Sequence, residues 1–137
     1  MYRHRITLRV RYADTDRMDQ VYYGRYAEFF EVGRVETMRS LGISYRKLEE
    51  MGILLPVIDF RVRYLAPLSY DEEVVIETAI PELPRAAVRF DYTLFNEAGR
   101  RAAEGMTVLA FVDAATRKVR RAPEMLLAAL APYFREQ

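Results

Sequence analysis

Apolar and polar residues alternate over residues 5–12, with Ile6, Leu8, Val10 and Tyr12 on one face and polar side chains on the other. A period of two is that of a half-buried strand. From Tyr22 to about Leu41 the period changes: Tyr23, Tyr26, Ala27, Phe30, Gly33 and Val35 recur at three- and four-residue spacings, and Phe29, Val32 and Met38 widen the stripe. That pattern predicts a long helix covered by other structure. Its charged face is narrow, and Glu31 and Arg34 on it are spaced for an i,i+3 pair. Gly42 predicts the helix stop, Ser44 the cap of a short helix through about Met51, and Gly52 its end.

Strand periodicity returns between Leu54 and Leu65, where Ile58, Phe60, Val62 and Tyr64 alternate with Asp59, Arg61 and Arg63. Residues 73–80 follow with Val74, Ile76 and Ile80 inward, then residues 87–95 with Val88, Phe90, Tyr92 and Leu94 on one face. Asn96-Glu-Ala-Gly99 predicts a hairpin turn into a strand over residues 101–113 that is apolar on both faces, as an interior strand would be. Pro123 predicts the start of a short terminal helix. Strand, long helix, short helix, four strands and a helix, with hairpin-like connections, predict an α+β fold built on an antiparallel sheet. A chain of 137 residues is expected to form a single domain spanning 1–137.

Composition narrows the classes of function. With 51% hydrophobic residues, 30% charged residues and a net charge of +1, neither disorder nor general attraction to nucleic acid is expected. Arg61 and Arg63 on one strand do not make a basic, aromatic recognition surface. The absence of cysteine excludes disulfides, thiolate metal sites and a cysteine nucleophile. His4, the only histidine, lies near the start, which argues against a Ser-His-Asp triad or a histidine metal cluster. The first residues contain no apolar signal core, and no apolar run approaches the roughly 18 residues of a membrane span, so a cytoplasmic protein without a membrane partner is expected.

The candidate chemistry sits between Arg11 and Tyr26, where Asp14, Asp16 and Asp19 precede the long helix. The first turn of a helix offers unpaired N–H groups and the positive end of its dipole, which attract a polarised carbonyl. A carboxylate just upstream, such as Asp16, would face that carbonyl in a layout suited to acyl transfer. Asp14 reads as a cap and Asp19 as a turn residue. The three acids lack the glycine and distal glutamate of a calcium loop, so no metal is expected. Tyr22, Tyr23 and Tyr26 read as core or interface aromatics.

Tyr12-Ala-Asp-Thr-Asp16 followed by Val21-Tyr-Tyr and Tyr26, together with Tyr64-Leu-Ala-Pro-Leu-Ser-Tyr-Asp-Glu-Glu-Val74 and Ala103-Glu-Gly105, resembles the hotdog-fold acyl-CoA thioesterases of the 4-hydroxybenzoyl-CoA type. The resemblance covers nearly the whole chain. It implies a curved antiparallel β-sheet wrapped around a long central α-helix, with active sites at the interface of a homodimer, often within a homotetramer. It also implies hydrolysis of an acyl-CoA to CoA and a carboxylic acid without metal or redox cofactor. By the same resemblance Asp16 is nucleophile or general base, the Tyr23 backbone N–H polarises the thioester carbonyl, and Arg85 approaches the nucleotide end of CoA, although Pro84 and Ala86 flank it instead of further basic residues. Leu54, Leu55 and Val57 are expected to border the acyl chain. One stretch departs from the family pattern: Asp19 stands where a glycine is usual, followed by Gln20. Two alternatives remain open, a non-catalytic acyl-thioester binding module and a hydratase or dehydratase of the same architecture, the latter disfavoured by the lack of a second histidine.

Overall fold

The structure, a computed structural model, describes residues 1–135. In chain order the elements are β1 (Tyr2–Arg9), α1 (Tyr26–Ser40), α2 (Tyr45–Glu50), β2 (Ile53–Leu54), β3 (Val57–Tyr64), β4 (Glu73–Ile80), β5 (Ala87–Phe95), β6 (Arg101–Ala110), β7 (Val112–Asp113) and α3 (Glu124–Leu130), with single 3₁₀ turns at 12–14, 23–25 and 131–133. Among the described residues one antiparallel sheet has the order β1-β4-β5-β6-β3, and β2 pairs with β7 apart from it.

β4 and β5 bury the residues that their alternation singles out, Val74, Ile76 and Ile80 on one and Val88, Phe90, Tyr92 and Leu94 on the other. Helix α1 lies on this apolar face at two places where side chains are missing. A Cβ on Gly33 would stand 2.6 Å from Thr78 Oγ1 and 2.9 Å from Ile76 Cγ2, and one on Gly105 would stand 2.7 Å from the Arg61 carbonyl and collide with the Phe30 ring. Phe30 instead stacks on Tyr92, with ring centroids 4.3 Å apart. The helix ends as Gly42 predicts: with φ of 82°, it lets Gly42 N–H reach Arg39 O and Ile43 N–H reach Met38 O, the paired closing bonds of a left-handed helix stop. Ser44 Oγ then accepts from Lys47 N–H to cap α2.

Three expectations are corrected. β1 starts at Tyr2 and ends at Arg9, because its register runs from Tyr2 opposite Ile80 to Arg9 opposite Glu73; Tyr12 leaves the strand and is exposed. The last long strand ends at Ala110, and Val112–Asp113 turn away to pair with Ile53–Leu54. Arg34 does not pair with Glu31 on a solvated face. It turns inward, where it is 8% exposed, lies beside Tyr45 and Tyr92 and has no hydrogen-bond partner for Nε among the described residues. On β3, Val62 packs partly buried against the core whereas Ile58 and Phe60 are exposed; among the described residues β6 is the one strand beside it. Among the described residues no helix is long and apolar enough to cross a membrane.

Candidate active site

Residues 10–22 are folded by their own polar groups. Thr15 Oγ1 donates to Tyr12 O, Asp16 N–H donates to Gln20 O at 2.8 Å, and Tyr22 N–H donates to Asp14 O at 2.8 Å. Asp19 takes the tight position of this turn with φ of 59°. Aspartate tolerates the left-handed backbone better than most residues, which is how it stands in for glycine. The second motif segment docks against the loop: Val21 N–H donates to Leu68 O at 2.8 Å, and Gln20 bridges to Ser69. Leu68 is fully buried and anchors the contact.

The two acids of the Asp-Thr-Asp run have different surroundings. Asp14 is buried, its Oδ2 accepting from Arg11 N–H at 2.9 Å and its Oδ1 from the Arg11 guanidinium at 3.1 Å. Asp16 is half-exposed, and its Oδ1 accepts from Met18 N–H at 2.8 Å and more weakly from Gln20 N–H at 3.4 Å. Its Oδ2 accepts no hydrogen bond from the described residues, so one oxygen orients the carboxylate and the other is available. Among the described residues no group of three metal-ligating side chains converges.

Asp16 and Tyr23 line the same pocket, about 410 Å³ in volume, with Gln20, Tyr26, Tyr64 and Leu65 among its other walls. Tyr23 opens the 3₁₀ turn that leads into α1, and the Tyr22 ring lies over Gly24, where a Cβ would stand 2.8 Å from it. Tyr22 O accepts from Arg25 N–H at 2.9 Å, whereas Tyr23 N–H donates to none of the described residues. Tyr26 is buried, and burial pushes its phenol up to about 12. Tyr22 and Tyr23, expected in the core or at an interface, are exposed in the single chain.

The other candidate residues lie elsewhere. Arg85 is exposed in the β4–β5 connection and lines a second pocket with Leu83, Pro84 and Leu127. Leu54 and Leu55 are half-buried at β2, and Val57 is exposed at the start of β3. None of these four lines the Asp16 pocket within one chain. Tyr64 lines it and was not singled out from the sequence; its strand position is visible there, but its neighbour across 41 residues is not.

An antiparallel five-stranded sheet packed on one long helix is the hotdog fold of the thioester hydrolases. The chain belongs to the thioesterase-like superfamily, whose family model matches residues 10–130. It is 38% identical to YneP of Bacillus subtilis over 92 residues, 67% of each chain. It is 28% identical to the acyl-CoA thioester hydrolase YbgC of Escherichia coli O6:H1 over 121 residues, 88% of this chain and 90% of that one. The solved DHNA-CoA thioesterase of Staphylococcus aureus superposes with a TM-score of 0.85 at 35% identity, covering 98% of this chain and 85% of that one.

Proposed function

We propose that the protein hydrolyses an acyl-CoA thioester to free CoA and a carboxylic acid, using Asp16 as nucleophile or general base and the Tyr23 N–H to polarise the carbonyl. The observation that carries this reading is the shared pocket, which is lined both by Asp16, whose Oδ2 is unengaged, and by Tyr23, whose N–H is unbonded among the described residues. A thioester carbonyl held at the helix start gains a donor for the oxygen that becomes negative as the carbonyl is attacked. As base, Asp16 takes a proton from water as that water attacks. As nucleophile, it bonds to the acyl carbon, CoA leaves as thiolate and is protonated, and water then cleaves the anhydride. Neither route requires a metal or redox cofactor.

The acyl group enters the space bounded by Tyr26, Tyr64 and Leu65, and the CoA portion extends outward. Arg85 meets a CoA phosphate and Leu54, Leu55 and Val57 border the acyl chain when a second copy of the chain completes the site. The support for that assembly is the exposed apolar side of β3, which begins at Val57.

The test is thiol release from short, medium, branched and aromatic acyl-CoAs by the wild type and by Asp16→Asn. Wild type is expected to turn over at least one class, and the variant to lose at least about a hundredfold in kcat while keeping its fold. Binding without turnover across the panel would sink the hydrolase reading, and full activity of Asp16→Asn would sink the role of that residue.

A further inference from the structure

Tyr23 is held in place by its backbone rather than by its ring, which is 65% exposed. Its N–H lies in the Tyr22–Tyr23 peptide plane, so its direction depends on what holds that plane in the turn. The preceding plane is fixed by Tyr22 O, which accepts from Arg25 N–H at 2.9 Å. The following plane is fixed from outside the loop: the Tyr64 hydroxyl donates to Tyr23 O at 2.9 Å. The Tyr64 bond thus ties the middle peptide of the turn to β3 and supports the closure between Tyr22 O and Arg25 N–H on which the direction of the Tyr23 N–H depends.

We infer that Tyr64 is a positioning residue for the hydrolysis proposed above, its hydroxyl holding the Tyr23–Gly24 peptide and through it the N–H that polarises the thioester carbonyl. The inference rests on that reading. The phenol itself is placed by packing, edge-on to the buried Tyr26 ring with centroids 4.8 Å apart at 85°. Burial raises the Tyr64 pKa, with the neighbouring Tyr23 adding to the effect. Tyr64 is the last residue of β3, so this one bond ties the end of the edge strand to the start of α1. The ring also walls the pocket, but what the inference assigns is the task of the hydroxyl, which acts through Tyr23.

Tyr64→Phe removes the hydroxyl and leaves the ring against Tyr26. An N–H that swings out of line loses most in the transition state, so kcat is expected to fall about tenfold while KM stays within about twofold. Thermal midpoint and oligomeric state are expected to match the wild type. Amide hydrogen exchange at Arg25, whose N–H closes the turn, is expected to quicken about tenfold as the turn opens more often. Wild-type turnover with an equally active variant, a loss confined to KM, or unchanged exchange at Arg25 would each overturn the inference alone. Wild type that releases no thiol from any acyl-CoA would overturn the hydrolase reading, and the inference with it.

Discussion

Asp14 and Asp16 are two residues apart in one loop, with opposite surroundings. Both oxygens of Asp14 are engaged by Arg11, and the side chain is out of solvent. Converting it to the amide exchanges a charge-assisted acceptor for a neutral one and leaves the Arg11 groups short of a partner. Asp14→Asn is therefore expected to cost about 1–3 kcal/mol of stability, read from the urea midpoint. Asp16 keeps one oxygen on Met18 N–H, a bond that the amide oxygen of asparagine can also accept. Asp16→Asn is expected to change stability by less than about 0.5 kcal/mol. A reversal, with the Asp16 variant unfolding first, would mean that the loop is held by the second acid and not the first. Residue type and spacing are the same kind of evidence for both acids, so the sequence separates them only through the family resemblance; burial separates them directly.

At the scale of elements, the join between α1 and the sheet is set by what Gly33 and Gly105 lack. The obstruction at Gly105 includes backbone, the Arg61 carbonyl, as well as the Phe30 ring, so the neighbours cannot simply rotate aside. Gly105→Ala is expected to destabilise by about 1–3 kcal/mol in chemical denaturation, despite the higher sheet preference of alanine. A neutral result would mean that α1 rides higher on the sheet. The elements themselves were largely legible from the sequence. β4 and β5 could be placed to the residue because each has one apolar and one polar face, and Gly42 and Ser44 marked the break between the helices. What alternation hides is which strands are neighbours. The apolar residues of β3 have the same period as those of β5, yet Ile58 and Phe60 are exposed whereas the β5 set is buried. The same limit explains the site. Asp16 and Tyr23 are seven residues apart and are brought together by one turn, whereas the partnership of Tyr64 with Tyr23 depends on sheet order and was not legible. The inward turn of Arg34, beside Tyr45 and Tyr92, depends on tertiary neighbours that periodicity does not report.

For the whole molecule, the two edges of the sheet differ. On β1 the apolar side chains Ile6 and Leu8 are half-buried, and Arg3, Arg5 and Arg9 face solvent. β3 instead leaves Val57, Ile58 and Phe60 exposed, with Ile58 at 61%, and its outer backbone has no partner strand among the described residues. An unpaired apolar edge is a template for another strand. The proposed two-chain site would make a second copy the occupant, since Val57 begins this strand and lies outside the Asp16 pocket of its own chain. Wild type is therefore expected to sediment as a dimer or a larger homo-oligomer at micromolar concentration. Ile58→Arg places a charge where two copies would meet and is expected to shift the protein to monomer, with kcat/KM falling at least about tenfold because the site is left incomplete. Sedimentation velocity and thiol release on the same samples decide the matter. An Ile58→Arg monomer with full activity would show that one chain suffices and would return Leu54, Leu55, Val57 and Arg85 to structural roles. A wild-type monomer would remove the assembly altogether.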